Sequence, residues 1–461
     1  MTELSAMGAT PDDGPSSLSE EAGDTSTTQA STGSQEDLHP QNFPERVVWY
    51  SIVFTYGFFI LGSLYILGAV IAWVLFLYLL VRCWLQDEHT PPDQRIVIPI
   101  TIWVWIAGML MMEVALVAGH LDYDLGTKLL VKSSIGWAKG WAVLALYPLA
   151  GCLDIRPELI YRATCRVCKH TLILAPLYLS APILNLPQIL YVSPLRKVGG
   201  PGPNFFDVSL YSENYAGEIR WRLFTPWSPA LGMIGVIYLI FALQEKDPRW
   251  RWCGIIGALL MCYISKSRLA QVCVVVIPCM MFVLSRLSRS YTLITLGVGS
   301  FLSSLVAPQL VTAFNDFWEG FKSAREDSTR VRLALKEIAG YRWRTEARLW
   351  GHGVVEQGPH LVEYMPIGSH HTWYGLLFIK GIVGFYSLAV PMAISFVVLM
   401  VKAQYSEVGR AGLAILGILF LYTFGENLEI LAYLFWPALV MLGIALKPQR
   451  LQATPIDKCP A

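Results

Sequence analysis

The sequence predicts an all-α integral membrane protein of about twelve transmembrane helices, with one large loop before the tenth. Three observations predict it. The chain of 461 residues is 54% hydrophobic and only 15% charged. Apolar runs approaching the ~20 residues of a bilayer span recur along its length. Its 16 Trp and 21 Tyr suit the aromatic belts that such proteins place at the two interfaces.

Residues 1–44 are rich in Ser, Thr, Gly and acidic side chains and poor in apolar ones. Such a composition does not offset its ordering entropy, so a disordered cytoplasmic tail is expected, without the basic start and apolar core of a signal peptide. Residues 45–310 carry nine expected helices. The run from Val47 to Trp84 is too long for one span and divides at Gly62 and Ser63. Then come Ile96–Ala118, Trp137–Leu153, Thr171–Val192, Pro229–Leu243, Trp252–Ile264, Leu269–Leu284 and Tyr291–Leu310. Residues 311–371 form the large loop. Residues 372–446 hold Thr372–Val401, Ala411–Phe424 and Leu428–Leu446, and residues 447–461 a second cytoplasmic tail.

Loop charges orient these runs. With the N-terminus inside, each inner connection is basic: Arg82 and Arg95; Arg156, Arg162, Arg166 and Lys169; Lys246, Arg249 and Arg251; Arg286 and Arg289; Lys402 and Arg410; Lys447 and Arg450. The outer side then receives Gly119–Gly136, Ser193–Ser228, the corner Ser265–Arg268, the large loop, and Gly425–Asn427. The net charge of +1 points to no nucleic-acid partner. The cysteines fall mostly inside apolar runs, as small buried hydrophobes do, and Cys165-x-x-Cys168 is a lone pair with no second pair to complete a zinc site. No internal repeat of the transporter kind is visible.

The large loop runs against the charge bias. It holds Lys322, Arg325, Arg330, Arg332, Lys336, Arg342, Arg344 and Arg348, and closes on Gly368-Ser369-His370-His371. Clustered arginines suit phosphate, and an adjacent imidazole suits proton transfer. Arg330 and Arg332 stand at i and i+2, so only one of them faces a given site. A solvated amphipathic stretch would look similar, and Arg342 reads as a solvated residue within it.

Three stretches of the C-terminal half, in order, resemble one family, the O-antigen ligases and related Wzy-type polymerases. Ser265-Lys266-Ser267-Arg268-Leu269-Ala270 resembles the family's "SR" corner. Ser328-Thr329-Arg330-Val331-Arg332-Leu333-Ala334-Leu335, followed by Gly351-His352-Gly353, resembles its arginine helix and glycine turn. His371-Thr372-Trp373-Tyr374-Gly375-Leu376-Leu377, with Gly381 and Gly384 after it, resembles the start of its next helix, with Thr372 in place of the usual asparagine. The resemblance covers Trp252–Ala445, and Arg222-Leu223-Phe224-Thr225-Pro226 adds a further stretch.

The resemblance implies a GT-C-like membrane glycosyltransferase in the bacterial inner membrane, facing the periplasm. A polyprenyl-pyrophosphate-linked glycan would be the donor, and a glycan or lipid A-core hydroxyl the acceptor. The leaving pyrophosphate gathers negative charge, which guanidinium groups neutralise without a metal or other cofactor. The implied roles are His371 as base and Arg332, Arg330, Arg268 and Arg222 on the pyrophosphate, with inversion at the anomeric carbon. Arg332 matches the family spacing better than Arg330, and His371 better than His370, since Tyr374 follows at the right interval. His370, Glu426 and Asn427 are secondary candidates. Asp122-x-Asp124 could hold a metal, but acidic pairs of this kind are common by chance. Glu113 lies in an apolar run and flags function without a visible partner. Ligase, polymerase and protein-glycosylating branches share these residue types. A polysaccharide or lipid-linked transporter and a structural subunit are the rival classes.

Overall fold

The computed structural model describes residues 38–91, 95–213, 217–323 and 326–448. Arg325, Arg450 and almost all of both expected tails lie outside the described residues. The described residues are mostly helical, with two small antiparallel strand pairs.

Helix α1 (Phe43–Val53) starts under Asn42, whose side chain accepts from the Glu45 N–H. It joins α2 (Thr55–Ile60) at Phe54. Gly62, at φ 65°, turns the chain into α3 (Leu64–Trp84) at the expected division. Next are α4 (Ile100–Asp122), α5 (Thr127–Lys139), α6 (Val143–Ala150) and α7 (Pro157–Ser180). The expected run Trp137–Leu153 is therefore interrupted, with Gly140 pressed against Glu429.

The expected span Thr171–Val192 is corrected at both ends. Pro157 opens α7 well before Thr171, and Ile189–Val192 form strand β1, paired with β2 (Asp207–Ser209). The early start follows from a buried stripe of Leu159, Ile160, Ala163, Thr164, Val167 and Cys168, at helical spacing. The cations between them find partners. Arg162 is 2.9 Å from Glu245, and the Arg166 guanidinium lies 4.6 Å from the Trp49 ring centre. A second hairpin pairs β3 (Ser212–Glu213) with β4 (Ile219–Arg220).

Helices α8 (Ser228–Gln244) and α9 (Pro248–Ile264) pack closely together, and α10 (Arg268–Leu284) leaves the corner under a Ser267 cap. Helices α11 (Ser290–Leu305) and α12 (Ala307–Ser323) meet at a bend of 83°. The large loop is partly helical, since α12 runs into it and α13 (Glu326–Thr345) lies within it. Helices α14 (Thr372–Lys402), α15 (Glu407–Tyr422) and α16 (Leu428–Leu446) complete the bundle. Among the described residues α3, α4, α14 and α16 are long and apolar enough to cross a membrane, and the bent α11–α12 pair makes a fifth if taken as one span. The chain is thus a helical membrane protein with α16 deep in its core. The twelve expected spans are not distinguished by length and composition.

One long helix is broken. Gly381 in α14 adopts φ 61° and ψ −160°, and a Cβ there would collide with the Leu349 carbonyl. The loop after α13 supplies the missing partners. The Arg348 carbonyl accepts from the Ile382 N–H at 2.9 Å, while the N–H groups of His352 and Gly353 donate to the carbonyls of Phe378 and Ile379 at 2.9 Å each. Irregular backbone at such depth is tolerated because protein satisfies it. An interrupted helix was not expected here.

Candidate functional site

The start of α14 is stitched to the turn between α15 and α16. Thr372 donates through its hydroxyl to the Glu426 carbonyl at 2.6 Å and accepts from the Leu428 N–H at 3.2 Å. Its own N–H donates to the Thr423 carbonyl at 2.9 Å, and the Trp373 indole donates to the Thr423 hydroxyl at 2.7 Å. The threonine at 372 therefore has a joining role. It fixes His371, the N-cap residue, against Phe424, with ring centres 5.7 Å apart. Tyr374 stands edge-on to the same imidazole at 4.9 Å.

Helix α13 closes the site from the other side. Val331 and Leu335 pack on Val362, and Ala339 packs on Ile367 and Phe378. This stripe sets the helix on the loop and on α14, so Arg332 and Lys336, one turn apart, flank the histidines. The Lys336 ammonium lies 5.1 Å from the centre of the Tyr374 ring. Gly340 lets the helix approach, since a Cβ there would stand 3.0 Å from Tyr374.

The charges follow from this packing. Burial, then the charge of Lys336, pushes His371 down to about 4. Burial, then Arg332, does the same to His370, also to about 4. Both rings are neutral at physiological pH. The Nδ1 of His371 is buried and bonds to no other described residue, with only its own backbone in reach. Glu426 is buried and accepts from the Trp227 indole at 3.0 Å. Burial pushes its carboxyl up to about 7, against the pull of Arg332 and that indole.

The candidates named from sequence separate into two groups. His370, His371, Arg332 and Glu426 come together. Arg268 opens α10 beside Leu269, which approaches Gly425 on the same turn, where a Cβ would meet it at 3.3 Å. Arg330 is exposed on α13, and it is the charge of Arg332 that acts on His370 and Glu426. Arg222 is engaged elsewhere. Its guanidinium donates to the Ser209 hydroxyl (2.5 Å), the Pro226 carbonyl (2.9 Å) and the buried Asp207 carboxylate (2.9 Å), so it holds the loop that delivers Trp227. Asn427 caps α16, accepting from the Glu429 N–H. Arg342 is not a solvated residue. It bridges Glu346 at 2.8 Å and Glu356 at 2.5 Å and lies over Phe378.

Sequence reasoning missed Lys336, Tyr374 and Trp227 as site residues. Lys336 had a readable signal, since it follows Arg332 by four on a helix. Trp227 had none, because only the fold brings it to Glu426. The assembled site offers a neutral imidazole whose buried Nδ1 bonds to no other described residue, a carboxyl that titrates near neutrality, two cations and an aromatic rim. Such a set can take a proton from a hydroxyl and neutralise an anionic leaving group. No protein-family model matches the chain, and no curated protein matches it.

Proposed function

We propose that this protein is a metal-independent, inverting glycosyltransferase of the O-antigen ligase kind, acting at the outer face of a bacterial inner membrane. The observation that carries the reading is the His371 imidazole, whose buried Nδ1 bonds to no other described residue, with Lys336 beside it and Arg332 beside His370 and Glu426. The donor is a glycan on a polyprenyl pyrophosphate. The acceptor is a glycan or lipid A-core hydroxyl. His371 Nδ1 takes the hydroxyl proton as the acceptor oxygen bonds to the anomeric carbon. The bond from that carbon to the pyrophosphate oxygen breaks with its electron pair, and Arg332, Lys336 and Arg268 neutralise the departing anion. One backside displacement inverts the centre. Pyrophosphate binding also offsets the charge of Lys336, which adds to burial in depressing His371, so the loaded site has a stronger base than the empty one.

The test is transfer by purified protein from a lipid-pyrophosphate glycan to candidate acceptors, with and without a chelator. Transfer that survives EDTA supports the reading, and transfer lost to EDTA and restored by magnesium or manganese overturns the arginine mechanism. Ligase is preferred over polymerase. Deletion that leaves an anchor without polymer supports it, whereas an anchor bearing one repeat unit means polymerase.

A transport reading gains one observation, the break in α14 beside the buried Lys380, on which the charges of Glu429 and Glu113 act. Discontinuous helices with buried charges mark transport sites. Movement of lipid-linked glycan across vesicles by His371→Ala protein, without transfer, would favour it.

A further inference from the structure

We propose that the cleft between the C-terminal ends of α4 and α13 is a saccharide subsite for a neutral or amino-sugar segment of the glycan. It rests on the transferase reading and deepens it. The cleft encloses about 510 Å³ and is lined by Asp122, Tyr123, Glu346, Arg348, Trp350 and Gly351. That volume lies within the ~300–1,000 Å³ of small-molecule sites.

Its frame is built. The Nδ1 of His352 meets the Phe378 carbonyl at 2.9 Å and its Nε2 meets the Glu346 carboxylate at 2.8 Å, which ties the end of α13 to the break in α14. Gly119 near the end of α4 faces Gly353 so closely that a Cβ would stand 3.0 Å from its nitrogen. The Tyr123 ring lies 5.3 Å from that of His352.

The lining chemistry selects the ligand. Both Arg342 and His352 bind Oε2 of Glu346, which leaves Oε1 facing no partner among the described residues. The Asp122 carboxylate makes no hydrogen bond or ion pair among them either. A carboxylate accepts from two neighbouring hydroxyls at once, as adjacent sugar hydroxyls present them. Tyr123 and Trp350 add ring faces, on which the C–H face of a pyranose can lie. Three carboxylates, Asp122, Glu346 and the adjoining Glu356, against the guanidinium groups of Arg348 and Arg342 disfavour phosphate or an acidic sugar.

Position links the cleft to the transfer site. Arg332 and Glu346 mark the two regions along α13, and at 1.5 Å per residue they stand about 20 Å apart. That reach exceeds one sugar, so the cleft would hold glycan beyond the reacting unit.

The experiment titrates the full-length protein, in detergent, with oligosaccharides released by mild acid from the envelope polysaccharide of the source cell. The wild type is expected to bind them, and D122N combined with W350A to weaken binding by about tenfold or more. D122N alone changes an exposed side chain and should weaken binding in part while the fold stays intact. Transfer from a lipid pyrophosphate bearing a single sugar should be unchanged in both variants. No binding by the wild type, or equal binding by all three proteins, overturns the subsite whatever the transfer result. Binding that depends on Asp122 and Trp350, without any transfer by the wild type, leaves the saccharide site standing and removes the transferase reading.

Discussion

At the scale of single residues, His371 is set apart by what its ring lacks. Among the described residues its Nδ1 bonds to nothing beyond its own backbone, so replacement by alanine removes a base without breaking a hydrogen bond to another of them. His371→Ala should lower transfer by about a hundredfold to ten-thousandfold in a steady-state assay, with donor binding little changed. His370→Ala should keep most activity, and the reverse pattern would move the base by one residue. Because burial holds both rings near 4 in the empty site, the imidazole should impose no fall in kcat/KM, which reports the free enzyme, between pH 8 and 6. Glu426 supplies the inflection instead. As pH rises through about 7 its carboxylate forms and competes with pyrophosphate for Arg332, so the donor KM should rise. Glu426→Gln should abolish that rise, and an unchanged KM profile in this variant would refute the coupling. Arg332→Lys keeps charge but loses the two-pronged contact, and transfer should drop steeply. The exposed Arg344 is the proper control, since Arg342 is tied to two glutamates.

At the scale of elements, the break in α14 carries the sharpest expectation. Gly381→Ala adds a side chain at φ 61° against the Leu349 carbonyl, so the yield of monodisperse protein should collapse. Gly299→Ala on α11 meets nothing within 4 Å and should be silent in the same size-exclusion assay. Hydropathy foresaw Leu428–Leu446 to the residue and the corner between α9 and α10 closely, because both are almost wholly apolar runs with a cap at the join. It misplaced α7, since three cations on one helix read as a loop until Glu245 and Trp49 are seen to receive two of them. It missed the break at Gly381, because the partners of Phe378, Ile379 and Ile382 come from another part of the chain. Of the site, the histidines and Arg332 were legible as a local pattern. Trp227 and the tight engagement of Arg222 were not, since both depend on contacts between distant segments.

At the scale of the whole molecule, sidedness is the property most open to test. Cysteines at Lys197 and Glu363 should react with a membrane-impermeant thiol reagent in intact spheroplasts, and cysteines at Lys246 and Glu407 should not. All four positions are exposed. Labelling of only the second pair would put the histidines in the cytoplasm and end the periplasmic reading.

The backbone pairing between residues 348–353 and the middle of α14 also bears on how the chain is made. A helix that leaves the translocon with unmet amide and carbonyl groups is a poor candidate for lipid. The strip that meets them precedes it in translation, so it is already synthesised when α14 arrives. The connection between them still supplies Val362 and Ile367 to the seat of α13, but its covalent continuity is not needed once the two have docked. A protease site inserted at the exposed Glu363, between Gly353 and His371, should give two fragments that co-purify after cleavage and retain their activity. Separation of the fragments on a sizing column would show that the covalent link, and not the pairing at Gly381, holds the halves in register.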